Sequence, residues 1–355
     1  MVHGGDIYTD GIFKGQDLLD FSSNINPLGV PEGFKNNIAE ALNNVTRYPD
    51  IKYRELLKNL SNYTGTVEEN FVLGNGAAEI IDLVISNFKS ILIVVPSFVE
   101  YEINAKKWGC RIEYSKLLPN MDFDYEDIQN KLTEVEAVII GNPNNPNGNI
   151  IDKNKFESII EFCEAEGKTI IIDEAFIEFT GSIKNSFIDK IEHNKCTFII
   201  RAITKFFAMP GVRFGYGISS NEGLLNSIRE KQNPWNINCF AELAVKYCLK
   251  DKEYIDKSLN WIEAERKFFM GEISKISCID RIFNSFSNFI LCRLKNIDEN
   301  KLYKCCLEKG IIIRKASNFR GLDNSYVRFA IKDRVSNERL IKVLKGIEVI
   351  NNEFR

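Results

Sequence analysis

The chain has 355 residues, enough for a large core and two lobes. An apolar fraction of 44% and a charged fraction of 27% are ordinary for a globular enzyme, and a net charge of −3 without a long basic run argues against a nucleic-acid-binding surface. With only His3 and His193 available, a His-rich metal site is out of reach and a Ser-His-Asp triad is poorly supplied. The chemistry then falls to lysine, carboxylates, arginine or a cofactor.

MVHGGDIYTDG at the N-terminus lacks a basic region followed by an apolar core, so no secretory signal is expected. No apolar run approaches the length of a membrane span. The expected location is the cytoplasm, and the nine scattered cysteines, without a CxxC pair, are expected to be reduced. From about residue 70 short apolar runs alternate with helical patterns. LGNGAAEIIDLVISNF (73–88) places a glycine turn before a helix, ILIVV (91–95) reads as a strand, and YEINAKKWG as a helix. AVIIG (137–141) is strand-like, NKFESIIEFCEAEG helical, and TIIID (169–173) and TFII (197–200) strand-like again. Continuous apolar strands separated by helices predict an α/β fold with a mostly parallel sheet covered on both faces. Beyond residue 220 come a long helix through SLNWIEAERKFFMGEISKI, the short strands FILCRL, GIIIR and YVRFAI, and a final amphipathic helix, NERLIKVLKGIEVI. The expected division is a large domain over 40–230, with 1–39 and 231–355 forming a smaller α+β domain.

Ligands of open parallel sheets gather at the carboxyl ends of the strands. GNPNNPNG (141–148) follows AVII, Asp173 and Glu174 end TIII, and Lys205 follows TFII. Singly these signals are turns, caps or surface charges. Together they fit a pyridoxal phosphate site: a lysine able to form a Schiff base, a carboxylate to keep the pyridine nitrogen protonated, and an asparagine for the ring oxygen. Gly74 and Gly76 shape the turn before a helix whose first amides, at Ala77 and Ala78, point at an anion, and Thr204 and Arg213 add a hydroxyl and a guanidinium. Phe98, in PSFVEY, reads either as a ring stacked on the pyridine or as a core aromatic.

GNG (74–76), NPNNPNG (142–148), DEAF (173–176) and TKFFAMPGVRFGY (204–216), in this order, resemble the fold-type-I pyridoxal phosphate enzymes close to histidinol-phosphate aminotransferase. The resemblance covers essentially the whole chain. It implies a large domain with a mostly parallel sheet plus a smaller domain, with Lys205 as the Schiff-base lysine and Asp173 as partner of the pyridine nitrogen. It further implies Asn145 at the ring oxygen, and Thr204 and Arg213 at the cofactor phosphate. Tyr48, in TRYPD, resembles a tyrosine that reaches the phosphate of a second subunit, so a homodimer with shared sites is implied. Two departures stand out: Phe176 occupies a position that is usually tyrosine, and Ala202 one that is commonly serine or threonine.

DEAF, HGGDI, LLDFSSNINPLGVP (18–31), QNPWNIN (232–238) and IIIRKASNFRGLDNSYVRFAI (311–331) resemble the threonine-phosphate decarboxylase family, which makes aminopropanol phosphate for the cobalamin nucleotide loop. A substrate with a carboxylate and a phosphate requires two donor clusters. The resemblance places Arg328 at the carboxylate with Asn24 and Asn145 nearby, and Arg314 with His3 and Gly4 at the substrate phosphate. Arg320 and Lys315 read as surface charges, and Trp235 as packing at the lobe junction. A histidinol-phosphate-type aminotransferase would share every cofactor residue and stays open as the alternative, whereas a non-enzymatic pyridoxal protein would need no substrate arginines. No metal and no nucleic acid or membrane partner is expected.

Overall fold

A computed structural model describes residues 4–353. Among the described residues thirteen strands form three sheets. In chain order they are β1 (Leu19–Asp20), β2 (Phe71–Gly74), β3 (Ser90–Val95), β4 (Arg111–Lys116), β5 (Ala137–Gly141), β6 (Thr169–Asp173), β7 (Thr197–Ala202), β8 (Gly215–Ile218), β9 (Ile279–Ile282), β10 (Phe289–Leu294), β11 (Ile311–Ile312), β12 (Arg314–Lys315) and β13 (Tyr326–Ala330).

The large sheet has the order β2-β8-β7-β6-β5-β3-β4. All neighbours from β7 to β4 pair in parallel; β8 runs against both β7 and β2. The expected mostly parallel sheet is therefore present, with one reversed strand. β3, β5, β6 and β7 are buried along their whole length, which is why they read as unbroken apolar runs rather than alternating ones. Reversal of β8 brings its first residue, Gly215, to the same edge as the carboxyl ends of β2, β5, β6 and β7. The loops that leave this edge carry the polar motifs.

The four-stranded sheet has the order β12-β13-β10-β9 and is antiparallel throughout. The run GIIIR, expected as one strand, divides: Ile311 and Ile312 pair in parallel with Leu19 and Asp20, while Arg314 and Lys315 pair with Arg328 and Val327. The chain changes sheets between Ile312 and Arg314, so the N-terminal segment and the arginine-bearing strands are stitched together within four residues. The helix Lys252–Ile273 and the last helix, beginning at Arg334, pack together; Phe269 of the former meets Phe21 and Phe329. No helix among the described residues is long and apolar enough to cross a membrane, and no cluster there could hold a metal ion.

Candidate active site

A cavity of about 270 Å³ opens at the carboxyl edge of the large sheet, against the four-stranded sheet. Its wall takes Ala77, Ala78, Phe98, Asn145, Asp173, Thr204, Lys205 and Arg213 from the large-sheet loops, and Gly4, Asn24, Arg314 and Arg328 from the N-terminal segment and the smaller sheet. Twelve residues named from the sequence thus meet in one place. Gly76 stands just behind the wall. Tyr48 lies outside it, 77% exposed, with its ring centroid 4.7 Å from that of Trp235. His3 falls outside the described residues.

The anion end is built from backbone. Gly76, at φ 92°, precedes the helix Ala77–Ile85, and no side chain caps that helix's first amides. A Cβ on Gly76 would lie 2.4 Å from Arg213 Nη2, and one on Gly215 would lie 2.3 Å from the Ala77 nitrogen. Glycine at both positions lets the helix start sit down on β8 with the Arg213 guanidinium beside it. Uncapped amides, the helix dipole and a guanidinium make an anion cradle suited to a phosphate.

At the other end, Asp173 leaves β6 buried and without an ion-pair partner among the described residues. Tyr101, on the helix Glu100–Lys107, donates its hydroxyl to Asp173 Oδ2 at 2.7 Å, and the Ala175 amide donates to Oδ1 at 3.0 Å. Burial pushes the Asp173 carboxyl above the usual range, while these two donors pull it back. Burial also pushes the Tyr101 phenol far up, so it remains a protonated donor. A buried carboxylate with two neutral donors and no ion pair among the described residues is suited to a cationic ring nitrogen. Lys205 lies between the two ends. Burial, with help from Arg328 and Arg213, lowers its amine to about 8, which enlarges the neutral, nucleophilic fraction over that of an ordinary lysine. Phosphate cradle, amine and buried carboxylate together fit pyridoxal phosphate.

Arg314 and Arg328 face each other directly across β12 and β13. Arg328 donates from Nη1 to Asn145 Oδ1 at 2.5 Å and from Nη2 to the Ser22 carbonyl at 2.6 Å, over the Phe289 ring. Its Nε and the Asn24 Oδ1 are buried without hydrogen bonds. Arg314 donates to Asn318 Oδ1 at 2.8 Å, over the Phe319 ring. Burial lowers Arg328 to about 9 and Arg314 to about 10, and Arg314 adds its repulsion to the burial of Arg328. Two buried guanidiniums on facing strand positions in one cavity suit a ligand with two anionic groups.

Several participants were not singled out from sequence. Tyr101 lay within a segment legible only as a helix. Ser22 lines the cavity, accepts the Gly5 amide at 2.7 Å on Oγ, and is fixed in turn by Asp20. A Cβ on Gly4 would be 2.1 Å from the Ser22 carbonyl oxygen, so the glycine permits the N-terminal segment to close on this turn. Phe176, noted as a departure, lines the cavity and packs edge-on against Phe289, beneath Arg328. Ala202 is buried at the end of β7 and does not reach the cavity wall. Glu174 turns to the opposite side of the strand from Asp173, where Arg201 contacts its Oε2 at 3.0 Å.

Comparison with known proteins agrees with this architecture. A protein from Caldanaerobacter subterraneus subsp. tengcongensis, provisionally described as a threonine-phosphate decarboxylase, is 40% identical over 97% of this chain and 93% of its own length. The threonine-phosphate decarboxylase of Salmonella typhimurium is 32% identical over 98% of this chain and 96% of its own. A solved structure from Clostridium acetobutylicum, described as a histidinol-phosphate aminotransferase, is 56% identical and superimposes with a TM-score of 0.92, covering 94% of this chain and 100% of that one. The family model described as aminotransferase class I and II matches residues 16–344, and the chain belongs to that family of pyridoxal-phosphate enzymes.

Proposed function

We propose that this protein decarboxylates L-threonine O-3-phosphate to (R)-1-amino-2-propanol phosphate, a step of cobalamin biosynthesis, with pyridoxal phosphate as cofactor. The single observation that carries this reading is the Arg314–Arg328 pair, opposed across two strands in one cavity. Threonine phosphate presents a carboxylate and a phosphate on one small molecule and answers both guanidiniums. Histidinol phosphate has a phosphate but no carboxylate and would answer only one of them, whereas the 2-oxoglutarate of an aminotransferase would answer both, so the choice of reaction leans on the decarboxylase relatives.

Bound here, pyridoxal phosphate would supply an electrophilic carbonyl carbon and an electron-withdrawing ring able to take up the electron pair released when the Cα–carboxylate bond breaks. The chain's residues then have separate tasks. The Ala77 and Ala78 amides, Thr204 and Arg213 hold the cofactor phosphate. Asp173, which accepts from Tyr101 and the Ala175 amide, would favour a proton on the ring nitrogen. Phe98 would cover the ring, and Asn145, whose carboxamide oxygen accepts from Arg328 Nη1, would have its amide nitrogen left for the ring oxygen. Arg328, with Asn24, grips the substrate carboxylate, and Arg314, with Gly4 and His3, its phosphate. The amine of Lys205 would attach the cofactor, and Lys205 or a water would return a proton to Cα after carbon dioxide departs. We further propose a cytoplasmic homodimer in which Tyr48 reaches the partner's cofactor phosphate.

The test is incubation of the cofactor-loaded enzyme with L-threonine O-3-phosphate, scoring carbon dioxide against keto acid. Carbon dioxide and aminopropanol phosphate are the expected products. Faster turnover of histidinol phosphate with 2-oxoglutarate would instead establish the aminotransferase that the solved relative's description names.

A further inference from the structure

A second hollow adjoins the cavity on its outer side and shares Phe98, Val99 and Phe319 with it. Its floor joins two segments far apart in sequence. Arg320 donates from Nε to Glu102 Oε2 at 2.7 Å and from Nη2 to Glu102 Oε1 at 2.6 Å, a parallel two-pronged fork. The guanidinium also lies 4.3 Å from the Tyr114 ring centroid, on the outermost strand β4. Lys106 supplies a second cation to Glu102, and these partners, Arg320 foremost, hold that carboxyl down to about 2. Arg320 is thus more than a solvated charge: it is half-exposed, but docked.

The neighbours of the fork give it meaning. Glu102 follows Tyr101, the donor to Asp173, and lies four residues after Phe98. Arg320 follows Phe319, the ring under Arg314, and Asn318, which accepts from Arg314 Nη2. One end of the fork therefore carries the wall of the cofactor site and the other carries the support of the phosphate-binding arginine.

We propose that Arg320 and Glu102 form a positioning clasp that closes the phosphate end of the substrate cavity, holding the 316–322 loop, and with it Arg314, against the helix that carries Tyr101. Neither residue touches substrate. The assignment of Arg314 to the substrate phosphate rests on the function proposed above; the clasp itself is a property of the fold. An Arg–carboxylate fork retains its geometry where a lysine would not, because both prongs are fixed by the planar guanidinium.

The experiment compares cofactor-loaded wild type with Arg320→Ala, Glu102→Ala, Arg320→Lys and the double alanine variant. Amide hydrogen exchange comes first and needs no substrate. Both single alanine variants should lose protection over residues 316–322 and over the helix around Glu102, and the double variant should lose no more than either. Unchanged protection in the single variants overturns the clasp. Affinity for L-threonine O-3-phosphate comes second. Each alanine substitution should weaken it by about threefold to fivefold, the weight of a partly exposed ion pair. L-threonine, lacking the phosphate, should be bound alike by all variants, and kcat at saturation should stay near wild type. Arg320→Lys should fall between, and added salt should erode the wild-type advantage. If Arg320 instead contacted the phosphate directly, Glu102→Ala would free it and tighten binding, which also overturns the proposal. Failure of wild type to bind any phosphorylated amino acid would sink the proposed function while the exchange data still judge the clasp.

Discussion

Replacing Tyr101 by phenylalanine tests how the buried carboxylate is kept charged. Tyr101 and Asp173 are both buried, 2.7 Å apart, and the hydroxyl is one of two donors that Asp173 has. Phenylalanine fills the same space, so the change removes one donor without opening a void. Hydrogen bonds to a charged group are worth ~1.5–3 kcal/mol, so kcat/KM for threonine phosphate should fall by about tenfold to a hundredfold. The sign of the pH effect follows from the same geometry. Burial already places the Asp173 carboxyl above the ordinary range, and Tyr101 is the first of the groups that lower it. Without the hydroxyl the charged form appears only at higher pH, and the acid limb of the kcat/KM profile should move upward. The measurement is that profile, taken alongside a thermal melt to exclude misfolding. An acid limb in the wild-type position, with kcat/KM within about twofold of wild type, would show that Tyr101 merely fills space.

Four further outcomes are expected. Lys205→Ala should abolish the covalent attachment of pyridoxal phosphate that borohydride traps, with the fold intact by circular dichroism; trapping at another lysine would refute the assignment. In the cofactor-free protein the Lys205 amine stands near 8 against an ordinary 10.5, so the unfolded chain binds more protons across that window. Stability should therefore rise with pH between these values, and Lys205→Met should flatten the rise in denaturant titrations. Arg314→Ala should mainly weaken phosphorylated substrates and Arg328→Ala every α-amino acid, each by ~2–5 kcal/mol; equal losses for threonine and its phosphate in the Arg314 variant would contradict the division of labour. Light scattering at assay concentration should give a two-fold dimer, and a fully active monomer would remove Tyr48 from the site.

Much of this was legible in sequence because the residues that make the large sheet are unbroken Ile/Val runs, and the polar motifs follow directly at their ends. The runs AVIIG and TIIID coincide with β5 and β6. β2 and β8 escaped notice since FVLG and GYGI are four residues long and glycine interrupts their apolar pattern. β4 was hidden for another reason: an edge strand that is half exposed, it carries in RIEYSK charges that an inner strand would not. The split of GIIIR between two sheets depends on partners some 290 residues upstream and 14 downstream in register, which no local pattern encodes. Tyr101 was invisible as a site residue because a tyrosine on the first turn of a helix is ordinary; only the fold brings its hydroxyl to the end of β6. Ser22 could have been suspected from DFSSN, where Asp followed by two serines marks a side-chain-bonded turn.

The neighbouring carboxylates Asp173 and Glu174 bear on how the chain finds its correct pairing. They point to opposite sides of the sheet, Asp173 into the cavity and Glu174 into a dry pocket where Arg201, Ser186 and the Phe187 amide satisfy it. A strand of isoleucines alone would tolerate slippage, since Ile170, Ile171 and Ile172 look alike to their neighbours on β5 and β7. A shift by one residue would send Glu174 to the cofactor side and leave Arg201 buried beside the shorter Asp173. Such a slip would give up the fitted contact of Glu174 with Arg201, Ser186 and the Phe187 amide, a penalty that misaligned isoleucines do not incur. The ion pair behind the site thus acts as an alignment key during folding, ensuring that of two adjacent acids the shorter one faces the cavity.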